Sequence, residues 1–476
     1  MLNRSRLMVA FLTLFVGATA CAPISSLPES KTTNALPATL GPASYETSLP
    51  AVLWGEKNNE HQLFLLDPST GKALPDVESI SLGQIFSYAY SPDRRRLAAM
   101  TFPDDSNTDG SLMLIDLLAW KSERFELKLY GWVGAMAFSA DGGLLAISHG
   151  GDYMSKLTIF DITQGTILAQ GETDLLVPRL KFTSAGDALM LYGLSKEGRF
   201  AENSLGGGTP QVVLLDVADL SPRWQADLVG VREGLFPKDE NAELSGAEMM
   251  EQGQAMYLGP GVVFAPDRDR LYVVHADSDQ LASVDFAAQT VETVSIQPRL
   301  SWLETLLSLT AGVAHAKIAD GTSKDVAISP DGQFVYVVGT HNTSVPDQQG
   351  NLQINQIPLG LEIIRTENGS RIEHIETGAG DLSLSPDGRF LYLRSWGTPE
   401  NGAPGTEVLD TSSREIVTHA AGIYPSLAFR VNGEPLLVST YSFTETWHQM
   451  AILQPDDLRG LTEWKGPEYI SWLAIE

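Results

Sequence analysis

An all-β fold built from one repeated four-stranded unit is predicted by three observations. A pair of short apolar strands flanking a tight turn of Asp, Gly, Asn or Pro recurs seven times. A third apolar strand, ending in a polar turn, interleaves with that pair and recurs eight times. The two chain ends then supply the missing pieces of one unit. Such turns accept the dihedrals of hairpins, and internal periodicity of this kind marks a repeat architecture.

The first motif, strands a and b, occupies residues 88–100, 136–148, 180–192, 262–274, 326–338, 382–394 and 427–439. The second, strand c and its turn into d, occupies 63–72, 112–121, 157–166, 211–220, 281–290, 361–370, 406–415 and 450–459. One a strand is therefore absent at the start. Residues 51–56 (AVLWGE) read as a strand b, and the terminal 469–476 (YISWLAIE) reads as an a strand, with Ala474-Ile475 matching Ala327-Ile328 and Ala428-Phe429. The last strand completes the first unit and closes a ring. This describes a single β-propeller of eight four-stranded blades, with seven as the alternative count. Closure also removes exposed edges that invite aggregation.

The run LYVVHADSDQLASVDFAAQTVETV (271–294) and VYVVGTHN (335–342), with their Asp-Gly turns, resemble the YVTN/WD40-like repeats of bacterial propeller lipoproteins. The resemblance covers about residues 50–476 and implies fold, not function. The Gly-His and Trp-Asp signatures of true WD40 repeats are absent.

Composition narrows the function classes. The chain has 476 residues, 43 % apolar and 19 % charged, with a single cysteine and a formal net charge of −27. One cysteine excludes a disulfide framework and any multi-cysteine metal site. The acidic balance argues against nucleic acid, whose phosphates need Lys and Arg.

The N-terminus carries Arg4 and Arg6, then an apolar run from Leu7 to Val16, then Ala18-Thr19-Ala20-Cys21. This is the order of a secretory signal, too short to span a membrane. The end resembles a lipobox, with Ala18 where Leu is usual; an ordinary Ala-x-Ala cleavage before Cys21 is the other reading. The expected division is a signal peptide over 1–20, a lipidated N-terminus and flexible tether over 21–48, and the propeller over 49–476. The tether, rich in Pro, Ser, Thr and Ala, would reach about 30 Å. Cys21 is the expected lipid attachment point. The implied place is outside the cytoplasm, on a bacterial membrane facing the periplasm or the cell surface. The anchor would be the sole membrane contact, since an acidic body is repelled by anionic headgroups.

The a–b and c–d turns are tight, whereas the b–c connections (101–110, 193–210, 340–358, 395–405) and d–a connections (228–260, 297–324) vary in length. In an up-and-down blade these lie on one face, the usual place for binding on a rigid scaffold. Residues 301–314 read as a short helix with a Ser301/Glu304 capping box. The 232–256 insert is acidic and Met-rich, and reads as a lid or a disordered segment. Three histidines, His149, His275 and His341, follow strand b in three blades and would stand on this face. Trp302, Trp396 and Trp447 fall in its inserts, where aromatics suit peptide or sugar contact.

Asp105, Asn107 and Asp109, followed by Gly110, match the first half of a D-x-N-x-D-G calcium loop. The twelfth position, Asp116, ends strand c about 17 Å away, so it cannot close the same site. Calcium is the one candidate ion, against a plain acidic loop; no other cofactor is expected. The recurrent Asp67, Asp116, Asp161, Asp216, Asp285 and Asp410 read as turn residues. Ser204–Gly208 reads as a flexible loop lacking the Lys of a phosphate cradle. The expected partner is a protein, peptide or glycan, bound by a monomeric body. The alternative is a propeller enzyme, lactonase-like or metal- or cofactor-dependent, acting in the central funnel.

Overall fold

The computed structural model describes residues 50–57, 60–67, 72–74, 76–102, 110–129, 132–150, 156–195, 206–238, 255–296, 321–346, 352–395, 404–444, 447–466, 470–472 and 474–475. Every regular element among them is a β-strand. The chain opens with β1 (Ala51–Lys57), β2 (Glu60–Asp67) and β3 (Lys72–Ala73). Blade 1 follows with β4 (Ile80–Tyr90), β5 (Arg96–Phe102), β6 (Gly110–Asp116) and β7 (Lys121–Leu129). Blade 2 holds β8 (Trp132–Phe138), β9 (Leu144–Gly150), β10 (Lys156–Asp161) and β11 (Thr166–Glu172). Blade 3 holds β12 (Leu175–Phe182), β13 (Ala188–Ser195), β14 (Pro210–Asp216) and β15 (Pro222–Asp227).

An inserted pair, β16 (Gly234–Pro237) and β17 (Ala255–Gly259), precedes blade 4: β18 (Gly261–Phe264), β19 (Arg270–Val274), β20 (Gln280–Asp285) and β21 (Thr290–Ser295). Blade 5 holds β22 (Gly321–Ile328), a long β23 (Phe334–Pro346), an inserted β24 (Leu352–Pro358), β25 (Leu361–Arg365) and β26 (Arg371–Ile375). Blade 6 holds β27 (Asp381–Leu384), β28 (Phe390–Ser395), β29 (Gly405–Asp410) and β30 (Glu415–Ala421). Blade 7 holds β31 (Ser426–Phe429), β32 (Pro435–Thr444), β33 (Trp447–Leu453) and β34 (Gly460–Gly466), and the chain ends in β35 (Ile470–Trp472) and β36 (Ala474–Ile475).

These strands form seven antiparallel-based sheets in a ring. The fold is thus a β-propeller, and of the two counts that the repeats allow, seven is the number of blades. The terminal unit does exist, in the expected order β35–β1–β2–β3. It is not a separate sheet, because β2 also pairs with the start of β4 through Leu63↔Ile80 and Gln62↔Ser81. It is a wedge between blades 7 and 1. One of its faces (Ala51, Leu53, Leu66) packs on Ala428 and Val438 of blade 7. The other (Val52, Leu63, Leu65) packs on Tyr90 and Leu97 of blade 1. The last residues split: Ile470–Trp472 pair with β1, while Ala474 pairs with Ala428 of blade 7. At the turn end, blades 7 and 1 touch directly, with the Tyr90 and Phe429 rings 5.0 Å apart.

Each remaining seam has its own apolar layer, for example Ile147 with Leu112 between blades 1 and 2, and Tyr272 with Val337 between blades 4 and 5. Strands b are buried on both faces, as in β13 and β28. The outermost strands β11, β15, β21 and β30 expose most of their residues.

The a–b turns explain their recurring Ser-x-Asp sequence. In blades 1, 2, 5 and 6 the Ser hydroxyl donates to the Asp two residues on, at 2.6 Å (Ser91–Asp93, Ser139–Asp141, Ser329–Asp331, Ser385–Asp387). The same oxygen accepts the amide five residues on, and the Asp accepts a turn amide. In the c–d turns, Asp116, Asp161, Asp216, Asp285 and Asp410 each accept a following amide, at 2.8–2.9 Å. Their expected structural role holds at these five positions.

Candidate functional face

Every b strand runs towards one face, which also carries the inserted strands. The β16–β17 hairpin lies over blade 5, where Tyr257 and Leu258 of β17 run parallel to Gly321 and Thr322 of β22. Beyond the blade, β23 continues into a ribbon with β24, from Thr340↔Pro358 to Pro346↔Leu352. Among the described residues the opposite face consists of hydrogen-bonded turns. Val229, Ile357 and Leu359, on connections of the elaborated face, are 81 %, 44 % and 39 % exposed. Together with the insert they make the region over blades 3 to 5 the most built-up part of the described surface.

The Ser204–Gly208 segment is described from Gly206, and there it is packed against the insert. Gly208 and Glu233 exchange backbone hydrogen bonds of 2.9 and 3.0 Å. A Cβ on Gly207 would lie 2.5 Å from the Leu235 carbonyl oxygen, so the glycine is needed for close approach. The expectation of a flexible loop is corrected over these residues.

The three histidines stand at the expected ends of strand b, but they face inward. His149, His275 and His341 are each at most 5 % exposed. His149 Nε2 meets Thr158 Oγ1 at 2.9 Å, and Gln170 donates to the same hydroxyl. His275 Nδ1 meets Ser278 Oγ at 3.2 Å, and His341 Nδ1 meets Thr322 Oγ1 at 3.4 Å. Burial lowers the His275 pKa, opposed by Asp277 and reinforced by Lys324, so its ring is neutral near pH 7. Blades 4 and 5 are neighbours, which places His275 and His341 about one seam; His149 lies in blade 2. Among the described residues no three His, Cys, Asp or Glu side chains gather into a metal-binding group.

Charge concentrates where the insert meets blades 3 to 5. Tyr192 donates to Glu233 at 2.6 Å, and burial, with Glu233 beside it, pushes the phenol pKa well up. Arg232 stacks over Phe236 at 4.2 Å and pairs with Asp277 at 3.7 Å. Arg371 pairs with Glu362 at 2.6 Å. Lys324 stands near Glu362, Asp279 and Asp277, and burial lowers its pKa against their attraction. Chemically, this surface offers buried charge framed by aromatic and aliphatic groups.

Lys324 escaped the sequence reading, as did Asp325, Asp381 and Arg394, which meet at the seam between blades 5 and 6. The signal was present. Lys324-Asp325 places two charges inside an a strand whose counterparts are mostly apolar. Trp302, Trp396, the Asp105/Asn107/Asp109 loop, the 301–314 helix and Cys21 lie outside the described residues, as does 239–254 of the Met-rich insert. Trp447 opens β33, and its side chain is not described.

No protein-family model matches the sequence, and no curated relative does. Solved structures do match in shape. The dihydro-heme d1 dehydrogenase NirN, solved in complex with DHE, is 11 % identical over 88 % of this chain and 74 % of its own, with a TM-score of 0.51. The Kuenenia stuttgartiensis hydrazine synthase is 13 % identical over 80 % and 99 %, with a TM-score of 0.40. The β-propeller domain of Cps50 (Swd1) from Myceliophteria thermophila is 10 % identical over 79 % and 94 %, with a TM-score of 0.38. At such identities the likeness to NirN speaks for the fold alone, and the fold it supports is the β-propeller.

Proposed function

We propose that the chain is a lipid-anchored extracytoplasmic propeller of the YVTN-like lipoprotein kind, which binds a protein, peptide or glycan through its b–c/d–a face. The observation that carries this reading is asymmetry. The inserted strands β16, β17 and β24 all belong to one face, while the other is closed by short turns. A rigid ring that varies only at one end has the form of a binding scaffold. The basic, apolar and Ala-Thr-Ala-Cys sequence at the N-terminus supports the anchor.

The two halves are tested separately. Labelled fatty acid is expected on the wild type and absent from Cys21→Ala, which should leave the membrane fraction. Unlabelled wild type, or membrane retention of Cys21→Ala, contradicts the anchor. Replacing the ribbon over residues 343–355 with a short turn should abolish partner capture from intact cells while leaving the unfolding midpoint near that of wild type. Undiminished capture contradicts the assigned face.

A further inference from the structure

We propose that Asp325 and Asp381 form a proton-sharing latch between blades 5 and 6, which tightens that seam when protonated and loosens it when the proton leaves.

Asp325 sits on β22, the inner strand of blade 5, and its carboxylate reaches across the seam. One oxygen accepts the amide of Leu382 on β27 at 3.0 Å; the other accepts the amide of Val326 at 3.0 Å. The Asp381 carboxyl, on the same edge of β27, lies within hydrogen-bond reach of it. Two carboxyl groups in contact cannot both carry charge cheaply, and the stable arrangement shares one proton between them.

The surroundings favour one charge and no more. Arg394, on β28 and 7 % exposed, donates to Asp381 at 2.8 Å and to the Pro425 carbonyl of the following blade at 3.2 Å. It neutralises Asp381 and leaves the proton to Asp325. On the neighbouring β23, Asp325 faces Val338, which brings no charge. Lys324 is the adjacent residue on β22, and its charged neighbours are Glu362, Asp279 and Asp277. Glu407, on β29, is engaged by Thr377. Burial, then the charge and hydrogen bond of Asp381, push the Asp325 pKa up to about 7, with the Leu382 amide and Arg394 pulling the other way.

The sign follows from proton binding. Between the ordinary carboxylate range and about pH 7 the folded chain holds a proton that the unfolded chain does not. Stability from the latch is therefore full at low pH and is lost as pH rises through about 7. The released proton goes to solvent, and the seam is left with two carboxylates against one guanidinium.

The test is urea denaturation of the full chain and of Asp325→Asn between pH 5 and 8.5. The ratio of folding constants, variant over wild type, should rise by up to about tenfold per pH unit from pH 5 to 7 and flatten above pH 8. Asp381→Asn should make the wild-type slope smaller without abolishing it, because burial still raises Asp325 once the Asp381 charge is gone. A ratio that stays constant across this range overturns the latch. In the wild type alone, infrared difference spectra should show a protonated-carboxyl band that disappears between pH 5 and 8; its absence at pH 5 overturns the proposal even if neither variant folds.

Discussion

Ser385 shows how much of the ring depends on single side chains. Its hydroxyl donates to Asp387 and accepts the Phe390 amide inside one turn. Ser385→Ala leaves that amide without its acceptor and should cost about 1–2 kcal/mol, read from the urea midpoint. His149 belongs to the same class. Since its ring holds Thr158 within blade 2, His149→Ala should lower stability by about 1–3 kcal/mol and leave partner capture at wild-type level; lost capture at wild-type stability would restore it to a binding role. Gly433 marks where blades 7 and 1 meet. It has φ +87°, and a Cβ there would lie 2.4 Å from the Asp93 carbonyl oxygen, so Gly433→Ala should cost about 1–3 kcal/mol or more. At this scale the turn residues were legible, since Ser, Asp and Gly act locally. The inward turn of the histidines was not, because it depends on hydroxyls on other strands or loop positions.

Strands b were legible because they bury both faces, and strands a and c because they mix buried with half-buried positions, so all three appear as short apolar runs between turn residues. The d strands were placed only by counting, since β11 and β30 expose most of their residues and carry little pattern. The inserted β16, β17 and β24 went unread for a different reason. They are short, lie within polar connections, and exist by pairing with β22 and β23. Gly206–Gly208 misled for the same reason: three glycines look flexible until β16 lies against them. The β23–β24 ribbon is the element most specific to this chain, and its loss should remove binding without opening the ring.

The whole molecule is a ring whose closure uses both ends of the chain. The wedge β35–β1–β2–β3 was foreseen as a strand order, but its merger with blade 1 was not, because the β4 residues that pair with β2, Ile80, Ser81 and Gly83, lie outside either repeat. Truncation after Gly466 removes β35 and β36 and should lower the unfolding temperature by roughly 10 °C or more. The pH profile also belongs to the whole. Asp141 is held below the usual carboxylate range by the Ser139 hydroxyl and the Gly143 amide, and Asp410 by the Ser412 hydroxyl and the Ser413 amide. Their stabilisation is present near neutrality and lost as pH falls below the ordinary carboxylate range, whereas that of Asp325 is lost as pH rises through about 7. With the net charge of −27 also relaxing on protonation, calorimetry should find the highest unfolding temperature on the acid side of neutrality, near pH 5. A maximum above pH 7 would contradict this balance.

Binding through one face can be read out by photo-crosslinking in intact cells. A photoreactive residue is placed at Val229 or Ile357 on the elaborated face, and at Asp141 or Asp387 in the turns of the opposite face. A discrete crosslinked partner is expected from the first pair and none from the second. Crosslinks from Asp141 or Asp387 alone, or equally from both faces, would contradict it.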